Sequence, residues 1–170
     1  MFGRWLRHDP TPEVLSGGSA LEAAVARELP GADQETVAVV AAMTGLLGIV
    51  AYADRNYSAE EEAGVRQELS RVHGMTAAGI DAICNTLRQH IVEISAVQLP
   101  RYARTLRELG DEELRREVLG ALIDLAAADS SISLAETNLL RQITKALGLS
   151  QQHYVELQER HRHHLTALKR

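Results

Sequence analysis

An all-α fold, a single-domain bundle of about seven or eight helices, is what this 170-residue sequence predicts, and three observations predict it. Apolar residues recur at steps of three and four along most of the chain, and no stretch alternates with the period of two that a strand requires. Hydrophobic content is 45% but aromatic content is 4%, so the core is aliphatic and suits close-packed helices. A nine-residue motif also occurs twice at a fixed spacing, which points to a duplicated helix-loop-helix unit.

Residues 1–17 read as an irregular N-terminal arm, and residues 18–170 as the helical domain, with repeat units at about 34–96 and 112–168. Ser19 reads as the cap of a short helix from Ala20 to Leu29, stopped by Pro30 and Gly31. A long helix follows from Gln34 to about Ala53, with Met43, Leu47 and Val50 on one face. A loop over 54–57 leads to Ser58 and a helix to about His73, ended by Gly74. Thr76 caps the next helix, whose stripe is Ile80, Ile83, Leu87, Ile91 and Ile94. Pro100 breaks it and begins a short helix through Leu109, closed by Gly110. Asp111 caps helix 112–128, Ser133 precedes helix 134–147 with Gly148 closing it, and Ser150 caps a last helix.

The formal net charge is −5, so general attraction to nucleic acid is not expected. The lone Cys84 can form no intramolecular disulfide, in keeping with a cytoplasmic location. The 18 uncharged residues Thr36–Ala53 approach the length of a bilayer span. They are flanked by Asp33, Glu35 and Asp54 where a span favours Lys or Arg, so they read as a core helix and no transmembrane segment is expected. Trp5 with Arg4 and Arg7 offers a peripheral membrane contact, against the simpler reading that Trp5 packs on the domain.

The repeated motif runs Ala53-Asp54-Arg55-Asn56-Tyr57-Ser58-Ala59-Glu60-Glu61 and again Ala128-Asp129-Ser130-Ser131-Ile132-Ser133-Leu134-Ala135-Glu136. Aligning 47–67 with 122–142 gives 8 identities in 21 positions, and Asp, Ser and Glu recur at one offset of 75. Met43, Leu47, Val50 and Asp54 step by 4, 3 and 4, so Asp54 continues a buried face; Glu61 starts the face of Val65, Leu69 and Val72. By the same register Asp129 and Glu136 also point inward, while Glu60 and Glu62 are solvated. Like charges at ~6 Å and an effective dielectric near 20 repel by ~3 kcal/mol, which a bound cation would relieve. All-oxygen donors suit Ca²⁺, Mg²⁺ or Mn²⁺ better than Zn²⁺. A second reading stands beside this one. Ser58…Glu61 and Ser133…Glu136 both match the capping box S-x-x-E, in which the glutamates bond to backbone amides and bind nothing.

Here A-Y-A-D-R-N-Y-S-A-E-E and A-A-A-D-S-S-I-S-L-A-E resemble the A-D-G-x-[IVL]-S-x-x-E signature of TerB-like tellurite-resistance proteins, over roughly residues 34–165. The same module resembles the N-terminal region of a membrane-anchored J-domain co-chaperone. The resemblance implies an all-helical fold, a role in stress and tellurite resistance, and a metal-binding acidic site at Asp54, Glu61, Asp129 and Glu136. Arg55 and Ser130 replace the signature glycine, and Arg55 could itself neutralise the acids.

His161 and His164 share a helical face, with His153 and His163 near them, as a transition-metal alternative to solvated surface. The expected function is thus a divalent-cation-binding protein that works through protein partners. A metal-free helical adaptor is the alternative, and a carboxylate-metal hydrolase comes last because no separate general base is evident.

Overall fold

The computed structural model describes residues 17–128 and 132–168, with side chains through His161. They form eight α-helices and no strand: α1 (Gly17–Glu28), α2 (Gln34–Ala51), α3 (Ala59–Ser70), α4 (Ala77–Val97), α5 (Leu99–Leu109), α6 (Glu112–Ala126), α7 (Leu134–Ala146) and α8 (Gln151–Leu168). The arm expected at 1–17, with Trp5, lies outside the described residues apart from Gly17.

Most boundaries follow the side chains that satisfy free helix-end amides. Asp33, Thr76 and Asp111 each accept from the backbone N–H three residues on, at 2.7, 3.0 and 2.8 Å. Gly74 and Gly148, at φ +84° and +70°, supply the left-handed turns after α3 and α7. One expected cap is corrected. Ser19 lies inside α1, whose first turn is held by the Glu93 carboxylate of α4, which accepts from Gly17 N–H at 2.5 Å.

Helix α2 is the centre of the molecule. Twelve of its eighteen residues are buried, and α1, α4, α5 and α6 all pack on it. It is long and apolar enough to cross a bilayer, yet this fold buries it as core. Two of its glycines admit neighbours. A Cβ at Gly45 would sit 2.2 Å from the Tyr102 ring of α5, and one at Gly48 would sit 2.6 Å from Leu87 of α4. Gly64 does the same for α3, since a Cβ there would fall 2.3 Å from Leu125 of α6. The buried Thr44 is satisfied within α2 by donating to the Val40 carbonyl at 2.7 Å. Helix α8 packs against α6 and α7 at the edge of the bundle.

Candidate functional site in the acidic loops

The first acidic loop begins where α2 stops. Tyr52 is its C-cap, so the helix ends three residues before Asp54 and its register does not carry through. Asp54 is accordingly exposed, which corrects the expectation that it continues the buried face. Its Oδ1 accepts from Asn56 N–H at 2.9 Å, spanning Arg55. Such a turn suits an aspartate by its own short side chain. Arg55 adopts φ +63°, the left-handed region that favours glycine, and is the one non-glycine described residue to do so. The glycine of the resembled signature therefore has a conformational reason, and arginine occupies that conformation here. Arg55 is exposed and forms no ion pair with Asp54 or Glu61.

Ser58 then opens α3 through a complete capping box. Its Oγ accepts from Glu61 N–H at 3.2 Å, and Glu61 Oε2 accepts from Ser58 N–H at 2.8 Å. Ser133 and Glu136 repeat this at the start of α7, at 3.1 and 2.9 Å. Both glutamates are half-buried and turned back on their own helix ends. Asp129 lies outside the described residues.

The strongly buried acid is one the periodicity assigned to solvent. Glu62 is 9% exposed, and its carboxylate meets Arg88 of α4 and, at 3.6 Å, Arg66 of its own helix. The buried stripe of α3 is Glu62, Val65 and Leu69, with steps of three and four, so the register through Glu61 was one residue out. The box pulls Glu61 backward, and the cation that makes burial of Glu62 tolerable comes from another helix. The signal available in sequence was the Glu62–Arg66 spacing of i, i+4. Arg66 also pairs with Asp81, and Tyr57 and Cys84 adjoin this network. Burial pushes the Cys84 thiol up to about 11 and raises the Tyr57 phenol further above its ordinary value.

On α8, His161 Nδ1 lies 2.7 Å from Asp124 Oδ1, tying the helix to α6. His153 Nδ1 accepts from Ser150 N–H at 3.2 Å, and its ring meets Arg116. The side chains of His163 and His164 lie outside the described residues. His153 and His161 thus tie α8 to α6.

Among the described residues, no three His, Cys, Asp or Glu side chains gather closely enough to hold a metal ion. Asp54 and Glu61 stand at the two ends of one loop, each with one oxygen bonded to a backbone amide and the other unbonded. The described part of the first loop thus supplies two carboxylate donors. That number falls short of an all-protein cage for a hard ion, which takes about six or more oxygen ligands.

The family model for tellurite resistance protein TerB matches residues 39–159. The chain belongs to the TerB family. The match begins within α2, takes in both acidic loops and ends in α8, so it covers most of the bundle core and all four motif acids. No curated protein and no solved structure matches the chain. In this TerB-family chain the signature serine and glutamate of each loop have a visible structural duty as capping boxes. The signature aspartate of the first loop builds a turn that faces solvent.

Proposed function

We propose that this TerB-family protein serves tellurite and stress resistance from the cytoplasm as a non-catalytic binding protein. In this reading its repeated acidic loops take up a divalent cation, Ca²⁺, Mg²⁺ or Mn²⁺ before Zn²⁺, and its helix faces engage protein partners. Asp54 and Glu61 would hold the ion in the first loop, and Asp129 and Glu136 in the second. The observation that supports it is the exposed Asp54 and the capping Glu61, each with an unbonded carboxylate oxygen beside one tight loop. Two carboxylates with water make a weak site, one that a rise in cation concentration would fill and a fall would empty.

A metal-free adaptor is the second reading, favoured by the closed capping boxes at Glu61 and Glu136. Thermal unfolding separates the two. Chelator-treated protein is compared with protein in Ca²⁺, Mg²⁺, Mn²⁺ or Zn²⁺, alongside Asp54→Asn/Asp129→Asn and Ser58→Ala. Asparagine keeps an acceptor for the turn and removes only the charge; Ser58→Ala removes a cap at a cost of about 1 kcal/mol. The cation reading expects one ion to stabilise wild type and Ser58→Ala but not the asparagine variant, by about 2.7 kcal/mol at 100 times its dissociation constant. Equal response of all three proteins to every ion sinks it and leaves the adaptor.

A further inference from the structure

Some of the half-exposed apolar side chains of this bundle are gathered in one place. Six of them, Val39 and Met43 of α2, Val72 just after α3, Leu114 and Ala121 of α6 and Leu157 of α8, line one groove of about 950 Å³. It forms because α8 packs on α6 and α7, leaving α2 and the end of α3 on the opposite wall. Apolar surface collected from separate segments and rimmed by polar groups is the mark of an interaction site.

The rim decides which partner. Arg71 is paired with Glu68, Arg116 with Glu112, and His161 with Asp124. Glu113 and Glu117, one turn apart on α6, and Glu156 on α8 have no cationic partner among the described residues, against one unpaired guanidinium, Arg160. The uncompensated charge is therefore negative. It repels nucleic acid and acidic segments and attracts a basic one. An extended strand has no sheet edge to join here, since the described lining comes from helices and their ends. A helix, which satisfies its own backbone, can lay an apolar face into such a groove.

We propose that this groove docks a basic amphipathic helix of a partner protein. The proposal gives a place and a chemistry to the partner-binding part of the function above and owes nothing to the cation.

The experiment uses the full chain in chelator, so its outcome is independent of metal. A fluorescent synthetic peptide of about five helical turns carries Leu at helical i, i+3, i+4 and i+7 spacing and Lys elsewhere. Its anisotropy is titrated against wild type, Glu113→Lys/Glu117→Lys and Leu157→Gln. The same composition in scrambled order, and a version with Glu for Lys, are the controls. The amphipathic Lys peptide should bind in a salt-dependent way, about tenfold more weakly to the rim-reversed variant and more weakly to Leu157→Gln. Both rim positions are exposed, and Glu113 lies in the first turn of α6, so the rim variant should melt within about 5 °C of wild type and remain folded. Absence of binding up to about 1 mM, equal binding of a control peptide, or indifference to rim reversal overturns the proposal. Sedimentation of the chain alone closes the remaining route: a dimer abolished by rim reversal would make a second copy the occupant and overturn the partner.

Discussion

Arg55 sits where an L-amino acid is least comfortable, at φ +63° between the turn-forming Asp54 and Asn56. A left-handed conformation costs a side-chain-bearing residue about 1–2 kcal/mol relative to glycine. Arg55→Gly relieves that cost but lets the unfolded chain explore more conformations, which opposes it by up to about 1 kcal/mol. A net gain of about 0.5–1 kcal/mol in urea unfolding is expected, and a loss would mean that the guanidinium contributes stability. Cys84 makes a different claim, on pH. Its folded thiol is raised to about 11 by burial, against an ordinary value of 9.0. The folded state therefore keeps the proton longer than the unfolded chain does. The stability linked to that proton is complete below pH 9 and is lost as pH rises from 9 to about 11. Wild type should lose more of its urea midpoint than Cys84→Ala between pH 8.5 and roughly 11. In native protein at pH 8 the thiol should resist Ellman's reagent until urea exposes it, since the thiolate is the nucleophile.

The helices themselves were largely legible in sequence, because most of them advertise their ends. Thr76, Asp111, Ser58 and Ser133 cap where the sequence says they should, and Gly74 and Gly148 turn the chain as glycines can. What sequence misjudged was which way acids face. Asp54 was carried inward by extending the register of a helix that had already ended. Glu62 was sent outward because its partner, Arg88, is 26 residues away and on another helix. Periodicity reports position on a cylinder; it cannot report a cation arriving from elsewhere. The close approach of α5 to α2 was likewise hidden, since Gly45 inside an apolar helix looks like a weakness. Gly45→Ala should gain about 1 kcal/mol of helix propensity yet lose more, because the methyl would meet the Tyr102 ring at 2.2 Å. A net loss of about 1–3 kcal/mol in thermal unfolding is expected. Gly31→Ala, with nothing within 4 Å of the new methyl, is the control and should be neutral or slightly stabilising.

At the scale of the molecule, one helix serves as the floor on which the others are laid. α2 touches α1, α3, α4, α5, α6 and α7, more neighbours than any other described helix has. The same arrangement explains why the groove exists. α6 is shared between the α2 side and the α8 side, and the space above it between those two is not closed by a further described helix. It also explains why the acidic loops read so clearly while their chemistry did not. A capping box is a local device and is written in four consecutive residues. A cation site, or a docking groove, depends on what separate segments bring to one place.

Burial of α2 at the centre has a consequence for biosynthesis. The helix is complete in sequence at Ala51, but α6, which covers one of its sides, ends only at Ala126. At ribosomal speeds of ~5–20 residues per second, those 75 intervening residues take about 4–15 s to add. Throughout that interval the nascent chain carries an eighteen-residue apolar helix whose mean hydropathy of 1.6 would pass for a membrane span. The acids at its two ends, Asp33, Glu35 and Asp54, are what the unfinished chain offers against mistaken insertion until α6 arrives to complete the helix's cover.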